Sequence, residues 1–248
     1  MSSADWVVGF HPVLAALDRW PDRVEVVWLS ADAGGGRAGR IIEAARQAGV
    51  RYTTVPRRKI DDVAASAAHN GFAARVAPVP LVDAEVLLAS AGPACLVGLD
   101  GLEDPHNLGA VIRLAAGLGL DGVVVAGPHP PPLGGAVAKV AAGTLPLVPL
   151  AHVGSLGDFA RAAKDCGFWV YGADVEGDPV QEVDFAERAL ICVGGEAAGL
   201  RAKTRRHVDV MLAIPLAAGV ESLNLAVATG ILCWEWRRRV RPSPAAGT

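Results

Sequence analysis

IPLAAGVESLNLAVATGILCWEW, residues 214–236, is the segment from which the rest of this 248-residue chain is best interpreted. Apolar residues at 211–216 predict a short strand, and small residues at 217–219 predict a turn. Ser222 then stands where a helix N-cap is expected, because a serine hydroxyl accepts a hydrogen bond from an orphan backbone N–H. Since residues 223–236 are apolar on almost every side, we expect a helix that is buried all round.

Asn224 is the polar exception near the start of that helix. A buried amide without partners costs about 1–3 kcal/mol, so its hydrogen bonds must be accounted for. It is either a structural amide that ties a turn, or it faces a site at the mouth of the helix together with Ser222. Gly230, in the middle of the helix, predicts a close contact at that point, because glycine costs a helix up to about 1 kcal/mol relative to alanine.

The composition is that of a globular protein, with 52% hydrophobic and 20% charged residues. Apolar runs are shorter than the ~20 residues that span a membrane, and the N-terminus lacks the pattern of a signal peptide. The six histidines have no ligand spacing, so no metal is expected. Four cysteines without C-x-x-C spacing predict reduced core residues in a cytoplasmic protein: Cys95, Cys166, Cys192 and Cys233.

Charge is distributed unevenly along the chain, although the formal net charge is only −3. The net charge is +2 over residues 1–80, −10 over residues 81–199 and +5 over residues 200–248. Basic ends around an acidic middle indicate an anionic partner.

Residues 1–80 alternate between strand and helix patterns and predict a small α/β domain. A G-x-G-x-x-G pattern at 34–39 is typical of a dinucleotide loop. Its first glycine lies past the strand end, however, and no acidic residue ends the next strand. We therefore expect a flexible loop that carries Arg37 and Arg40. Strands are predicted at 24–29 and 50–55, and helices at 13–20, 40–48 and 60–68.

The prolines near residues 81–93 predict a linker into a second domain, residues 94–241, with a tail at 242–248. Strand and helix patterns alternate in this domain, which predicts an α/β fold with a mostly parallel sheet. Ligands of such sheets bind beyond the carboxyl ends of the strands. Three polar or glycine-rich loops follow predicted strand ends, at 100–107, 194–199 and 217–224.

These three loops carry motifs that are specific in combination. D-P-H-N-L-G-A-V-I-R (104–113), G-G-E-A-A-G-L (194–200) and I-P-x4-V-x-S-L-N-L-A-V-A (214–228) occur in this order. The set resembles the three motifs of the SpoU, or TrmH, family of RNA ribose 2′-O-methyltransferases, and most of all the bacterial 23S rRNA guanosine 2′-O-methyltransferase group. G-F-H-P-V-x-x-A-L at residues 9–17 resembles the substrate-binding domain that precedes the catalytic domain in many members.

The resemblance implies a catalytic domain of the SPOUT class, with a deep C-terminal trefoil knot. It also implies a homodimer that binds S-adenosylmethionine within the knot and methylates a ribose 2′-hydroxyl of RNA, with 23S rRNA as the expected substrate. The cofactor would then lie against Gly194, Gly195, Ile214, Leu216 and Leu223.

By the same resemblance, the family's functional positions correspond to Asn107, Arg113, Glu196, Ser222 and Asn224. Arg113 would help to deprotonate the ribose 2′-hydroxyl, anchor an RNA phosphate, or serve structure alone. The first role is demanding, because the pKa of a guanidinium is so high that the group stays protonated at neutral pH and cannot easily accept a proton. Asn107 is also expected to cap a helix at 107–118. Glu196 would hold the knot loop, whereas Ser222 and Asn224 would order that loop and the carboxylate end of the cofactor.

Three alanines depart from the family pattern near the expected cofactor loops: Ala197, Ala218 and Ala226. They keep a second hypothesis open, a non-catalytic RNA-binding relative with a degenerate cofactor pocket. A third hypothesis is a methyltransferase that acts on tRNA or on an rRNA site of antibiotic resistance. In each case we expect the N-terminal domain to contact RNA phosphates through Arg37, Arg40, Arg57, Arg58 and Lys59.

Overall fold

The computed structural model describes residues 5–64, 69–128, 130–195 and 199–241, and the chain divides into two compact units. The first unit comprises Met1–Pro80 and Pro132–Leu147, and the second comprises Leu81–Pro131 and Val148–Thr248. Residues 132–147, which the sequence analysis assigned to the second domain, thus belong by their contacts to the first unit.

A four-stranded sheet of order β1-β4-β2-β3 forms the frame of the first unit. Strands β2 and β3 are parallel, whereas β4 runs antiparallel to both β1 and β2. The two predicted strands are confirmed as β2 and β3, but β1 and β4 were missed because both are short and β4 is rich in alanine. The strands are β1 (Asp5–Val8), β2 (Val24–Ser30), β3 (Tyr52–Val55) and β4 (Phe72–Val76).

Three helices of the first unit begin earlier than predicted, and one of them removes an expected loop. Helix α2 includes both Arg37 and Arg40, so the prediction of a flexible loop there is wrong. Its buried Ile41 and Ala45 lie on one face, and Ala38, in the added first turn, packs against the same core, which favours a helix that starts as early as Gly36. The helices are α1 (Phe10–Arg19), α2 (Gly36–Gln47) and α3 (Arg57–Val63); residues 65–68 of the third predicted helix lie outside the described residues.

The second unit contains a six-stranded sheet of order β10-β8-β9-β5-β6-β7, in which every neighbouring pair is parallel. This confirms the predicted α/β class with a parallel sheet. All seven residues of β5 are buried, as expected for a strand covered on both faces. The strands are β5 (Ala94–Asp100), β6 (Gly122–Ala126), β7 (Leu150–Val153), β8 (Trp169–Pro179), β9 (Arg188–Gly194) and β10 (Val210–Ala213).

Helices complete both units. The stretch predicted as a linker contains α4, whose Leu87 and Leu88 are buried in the core of the second unit. Residues 145–147 form a 3-10 turn and β7 starts only at Leu150, because Pro146 and Pro149 interrupt the apolar run 145–150. The remaining helices are α4 (Ala84–Leu88), α5 (Pro105–Leu118), α6 (Gly135–Ala141), α7 (Leu156–Asp165), α8 (Ala202–Arg205) and α9 (Leu225–Val240).

The last helix, α9, is buried on one side only. Leu232 and Trp236 are fully buried, but Val227 and Trp234 are each 52% exposed. The expectation of a helix buried all round is therefore wrong. The close contact predicted at Gly230 is confirmed, because a β-carbon there would lie 3.2 Å from Cδ1 of Leu114 on the neighbouring α5.

Three of the four cysteines are buried, as predicted, and burial raises the pKa of the Cys95 and Cys192 thiols. Cys166 differs, because it follows the end of α7 and is exposed. Across the part of the chain that the structure describes, no helix is long and apolar enough to cross a membrane. Within those same residues, no group of three or more His, Cys, Asp or Glu could hold a metal ion.

Candidate functional site

A cavity of about 580 Å³ opens at the carboxyl ends of β9 and β10 and beside the middle of β8 in the second unit. Its size falls within the roughly 300–1,000 Å³ of small-molecule sites. The start of α9 closes its other side, where Leu225 and Ala228 face it. All five residues predicted to hold the cofactor line this cavity, namely Gly194, Gly195, Ile214, Leu216 and Leu223.

Glycine is required at position 194 by close approach of the backbone. A β-carbon on Gly194 would lie 1.9 Å from the carbonyl carbon of Gly199. Gly195 and Gly199 are also joined directly, because the backbone N–H of Gly199 donates to the carbonyl of Gly195 at 2.9 Å. The N–H of Gly195 in turn donates to the carbonyl of Asp100 at 3.1 Å, which ties the loop to the end of β5. Glu196 and Ala197 lie outside the described residues.

Asn224 caps α9 and joins it to α5. Its Oδ1 accepts hydrogen bonds from the backbone N–H groups of Ala226 at 3.0 Å and Val227 at 3.3 Å. Its Nδ2 donates to Oδ1 of Asn107 at 2.9 Å. Asn107 is only 7% exposed, so this bond satisfies a buried amide oxygen. Two residues predicted from different motifs are therefore direct partners.

Both predicted helix caps are wrong. Helix α9 begins at Leu225 with Asn224 as its cap, while Ser222 is exposed and lines the mouth of the cavity. Helix α5 begins at Pro105, and its cap is Asp104, which accepts from the N–H of His106 at 2.9 Å and of Asn107 at 3.3 Å. Proline at the first helical position explains the earlier start, since its fixed φ suits a helix and its missing N–H costs nothing there.

Arg113 is exposed on α5 and is absent from the residues that line the cavity. Within the described residues its guanidinium has no hydrogen-bond or ion-pair partner. The exposed cation is compatible with contact to an RNA phosphate or hydroxyl. Ser222 and Asn224 line the cavity, and Asn107 is joined to it through its hydrogen bond with Asn224, whereas Arg113 does not line it.

Asp100 is a buried carboxylate that the sequence analysis did not single out. It is 2% exposed, and its Oδ2 accepts from the hydroxyl of Thr204 at 2.6 Å and the N–H of Arg201 at 3.0 Å. It thus fastens the chain that follows the glycine loop to the end of β5. The available signal was a carboxylate at the end of an otherwise apolar, doubly buried strand, because such a group needs partners.

Asp174 is a second missed residue, and it lines the cavity from β8. Arg205 donates from Nη1 to its Oδ2, and the N–H of Glu176 donates to its Oδ1 at 3.1 Å. The hydrogen bond from Arg205 is the main reason that the pKa of Asp174 is lowered, so the carboxylate is charged at neutral pH. No periodicity in the sequence marks this position.

The five predicted RNA-binding residues are all exposed on the first unit. The guanidinium carbons of Arg37 and Arg40 lie 5.6 and 5.3 Å from the ring centre of Phe10. Arg57 forms an ion pair with Asp32 at 3.2 Å, which compensates part of its charge. Arg58 and Lys59 follow it in the first turn of α3.

Comparisons with known proteins agree with this architecture. Residues 94–234 match the SpoU rRNA Methylase family, and residues 6–82 match the RNA 2′-O ribose methyltransferase substrate-binding family. The 23S rRNA (guanosine-2′-O-)-methyltransferase RlmB of Xanthomonas axonopodis is 35% identical over 93% of this chain and 94% of its own length. RlmB of Pseudomonas aeruginosa is 34% identical over 98% of this chain and 99% of its own.

A solved structure shares both the fold and part of the sequence. The SpoU methyltransferase AviRb of Streptomyces viridochromogenes, in complex with the cofactor AdoMet, aligns with a TM-score of 0.77 and 25% identity. The alignment covers 94% of this chain and 89% of that one.

Proposed function

The chain belongs to the SpoU rRNA methylase family, and we propose that it transfers the methyl group of S-adenosylmethionine to a ribose 2′-hydroxyl of 23S rRNA. The two RlmB relatives are named 23S rRNA (guanosine-2′-O-)-methyltransferases, and they match nearly the whole chain. We extend the activity to this protein, with a guanosine ribose as the expected target.

The observation that carries the proposal is that one cavity collects residues from two of the three motifs and reaches the third through Asn107. The cavity suits S-adenosylmethionine in its chemistry as well as its size. Gly194 and Gly195 leave backbone exposed for close approach, Ile214 and Leu223 offer apolar surface to adenine, and Asn224 offers polar atoms. These residues would hold the cofactor, and its polar amino-acid end would lie near Ser222 and Asn224.

Catalysis by the chain's own residues is then largely positioning. When bound, S-adenosylmethionine supplies an electrophilic methyl group, which must face the ribose hydroxyl in line. The bond between Asn224 and Asn107 fixes the start of α5 relative to α9, and α5 also carries Arg113. Arg113 either orients and helps to deprotonate the hydroxyl or binds a neighbouring phosphate. Glu196 is proposed to hold the glycine loop in its folded form.

We further propose that the last segment is threaded as a trefoil knot and that the protein is a homodimer. The close approach of Gly194 to Gly199 in a cavity that the start of α9 also lines supports the first idea. The exposed apolar residues Val227 and Trp234 on α9 support the second, because an apolar helix face of this kind is typical of an interface. The proposed reaction is cytoplasmic and requires neither a metal nor a membrane.

RNA is proposed to approach through the basic residues of the first unit. Arg37, Arg40, Arg58 and Lys59 are exposed, and contacts of such side chains with phosphates supply affinity without reading the sequence.

The test is methyl transfer from labelled S-adenosylmethionine to unmodified 23S rRNA, followed by nucleoside analysis for 2′-O-methylguanosine. We expect wild-type protein to bind the cofactor in calorimetry and to label the rRNA. Arg113→Ala should retain cofactor binding and lose transfer, whereas Arg113→Lys should restore much of it if the role is phosphate binding. If the protein binds the cofactor but transfers the methyl group only to tRNA, the substrate is tRNA and not 23S rRNA. Absence of cofactor binding would favour the non-catalytic hypothesis instead.

A further inference from the structure

Asp174 is the ionisable side chain among the described residues that line the cavity. The other lining residues are apolar or small, apart from the hydroxyl of Ser222 and the amide of Asn224. A carboxylate costs free energy to hold in such surroundings unless it gains partners there. Arg205 and the backbone N–H of Glu176 supply such partners, but they do not explain why the carboxylate faces the cavity.

Asp174 lies where the pairing between β8 and β10 is interrupted. Met211 of β10 pairs with Gly172 of β8, but the next residue, Leu212, pairs with Asp178. Residues 173–177 thus leave the ladder between two consecutive residues of β10. Glycines fix both ends of this excursion, because a β-carbon on Gly172 would lie 2.7 Å from Sδ of Met211, and one on Gly177 would lie 2.6 Å from the carbonyl carbon of Met211.

The carboxylate is held in place but retains acceptor capacity. Arg205 occupies one position on Oδ2, and the N–H of Glu176 occupies one on Oδ1. A carboxylate offers about four acceptor positions, so each oxygen keeps room for a further donor. The side chain remains 20% exposed, which leaves access from the cavity.

We propose that Asp174 accepts hydrogen bonds from the ribose hydroxyls of the adenosine part of S-adenosylmethionine, a proposal that rests on the proposed function. Two free acceptor positions on neighbouring oxygens match the two donors of a vicinal diol. Carboxylates bind ribose hydroxyls in this way in dinucleotide-binding folds. Asp174 is then a specificity-determining residue for the cofactor.

The order of the strands favours the ribose over the sulfonium group. β8 is separated from β5 by β9, which at about 4.8 Å per strand puts the two strands roughly 10 Å apart. Methyl transfer is proposed near Asn107 and Arg113, on the helix that follows β5. Adenine is a poorer candidate, because the apolar Ile214, Leu216 and Leu223 offer it a stacking surface in the same cavity.

The test is calorimetric binding of S-adenosylhomocysteine and of its 2′-deoxy and 3′-deoxy analogues to three proteins. In wild type, we expect removal of a bound hydroxyl to weaken binding about tenfold, as for a hydrogen bond to a charged group. In Asp174→Asn, we expect the parent ligand to bind about tenfold more weakly and the deoxy analogues to lose little more. Arg205→Gln is the matched control, since it removes the ion pair and keeps the carboxylate. It should still discriminate against the deoxy ligands.

The outcomes separate the two proposals. If wild type binds the parent ligand and Asp174→Asn keeps the same preference for it over both deoxy analogues, the role of Asp174 is refuted and the proposed function stands. The role of Asp174 is also refuted if Arg205→Gln loses the preference as fully as Asp174→Asn, because the ion pair alone is then responsible. If wild type binds neither S-adenosylmethionine nor S-adenosylhomocysteine, the cofactor itself is wrong and both proposals fall.

Discussion

Asn224 performs two tasks with one amide. Its oxygen caps α9, and its nitrogen satisfies the buried oxygen of Asn107. Replacement therefore removes a cap and leaves a buried acceptor without this donor. The sequence indicated Asn224 through the contrast between one amide and an otherwise apolar helix.

We predict that Asn224→Ala lowers the free energy of unfolding by about 1–3 kcal/mol, combining the loss of a helix cap with the loss of the hydrogen bond to the buried Asn107. Urea unfolding measures the change. Ser222→Ala is the matched control, because Ser222 is exposed and caps nothing, so its effect should stay within about 0.5 kcal/mol. Equal effects of the two variants would show that the capping assignment is wrong.

Asp174 could not be predicted from the sequence, whereas Asp100 could be predicted in part. Asp174 reaches the cavity only because β8 leaves its pairing with β10, and a register break between two strands distant in sequence has no local pattern. Asp100 was open to inference, since it ends a buried apolar strand, but its partners Thr204 and Arg201 lie about a hundred residues away.

At the scale of elements, most strands and helices of the second unit were predictable, while the starts of α5 and α9 were not. Asp104 and Asn107 both suit a helix cap, as do Ser222 and Asn224, so local preference could not choose between the members of each pair. Tertiary contact made the choice, because Asn107 is buried against Asn224 and is therefore inside its helix. Continuous burial of β5 was predictable because a parallel central strand needs apolar side chains on both faces.

The exposed face of α9 yields a prediction about assembly. If Val227 and Trp234 lie in a homodimer interface, Trp234→Glu places an unpaired charge in it and should shift the protein from dimer to monomer in sedimentation velocity. Val86→Glu is the control, because Val86 is 60% exposed on α4 and lies apart from this face. If the wild-type protein is a monomer, there is no dimer interface. If it is a dimer that tolerates Trp234→Glu as well as Val86→Glu, the interface lies elsewhere.

At the scale of the whole molecule, the residues predicted to bind RNA and the cavity proposed to bind the cofactor belong to different units. The former are exposed on the first unit, and the cavity lies in the second. The two-part organisation was predictable from composition and element patterns. The assignment of residues 132–147 to the first unit was not, because it depends on contacts between two segments that are separated along the chain by residues 81–131.

The exposed basic residues of the first unit predict how the salt concentration should affect the affinity for RNA. Each phosphate contact that is lost lowers the slope of log affinity against log salt by about 0.7 for single-stranded and 0.9 for duplex nucleic acid. The double variant Arg58→Ala, Lys59→Ala should therefore reduce the slope by roughly 1.4–1.8 in fluorescence-anisotropy titrations with 23S rRNA fragments, and it should leave cofactor binding unchanged. Arg161→Ala is the control, because Arg161 is exposed on α7 of the second unit and outside the predicted RNA-binding set. An equal loss of slope in Arg161→Ala would mean that RNA responds to overall charge and does not contact the start of α3.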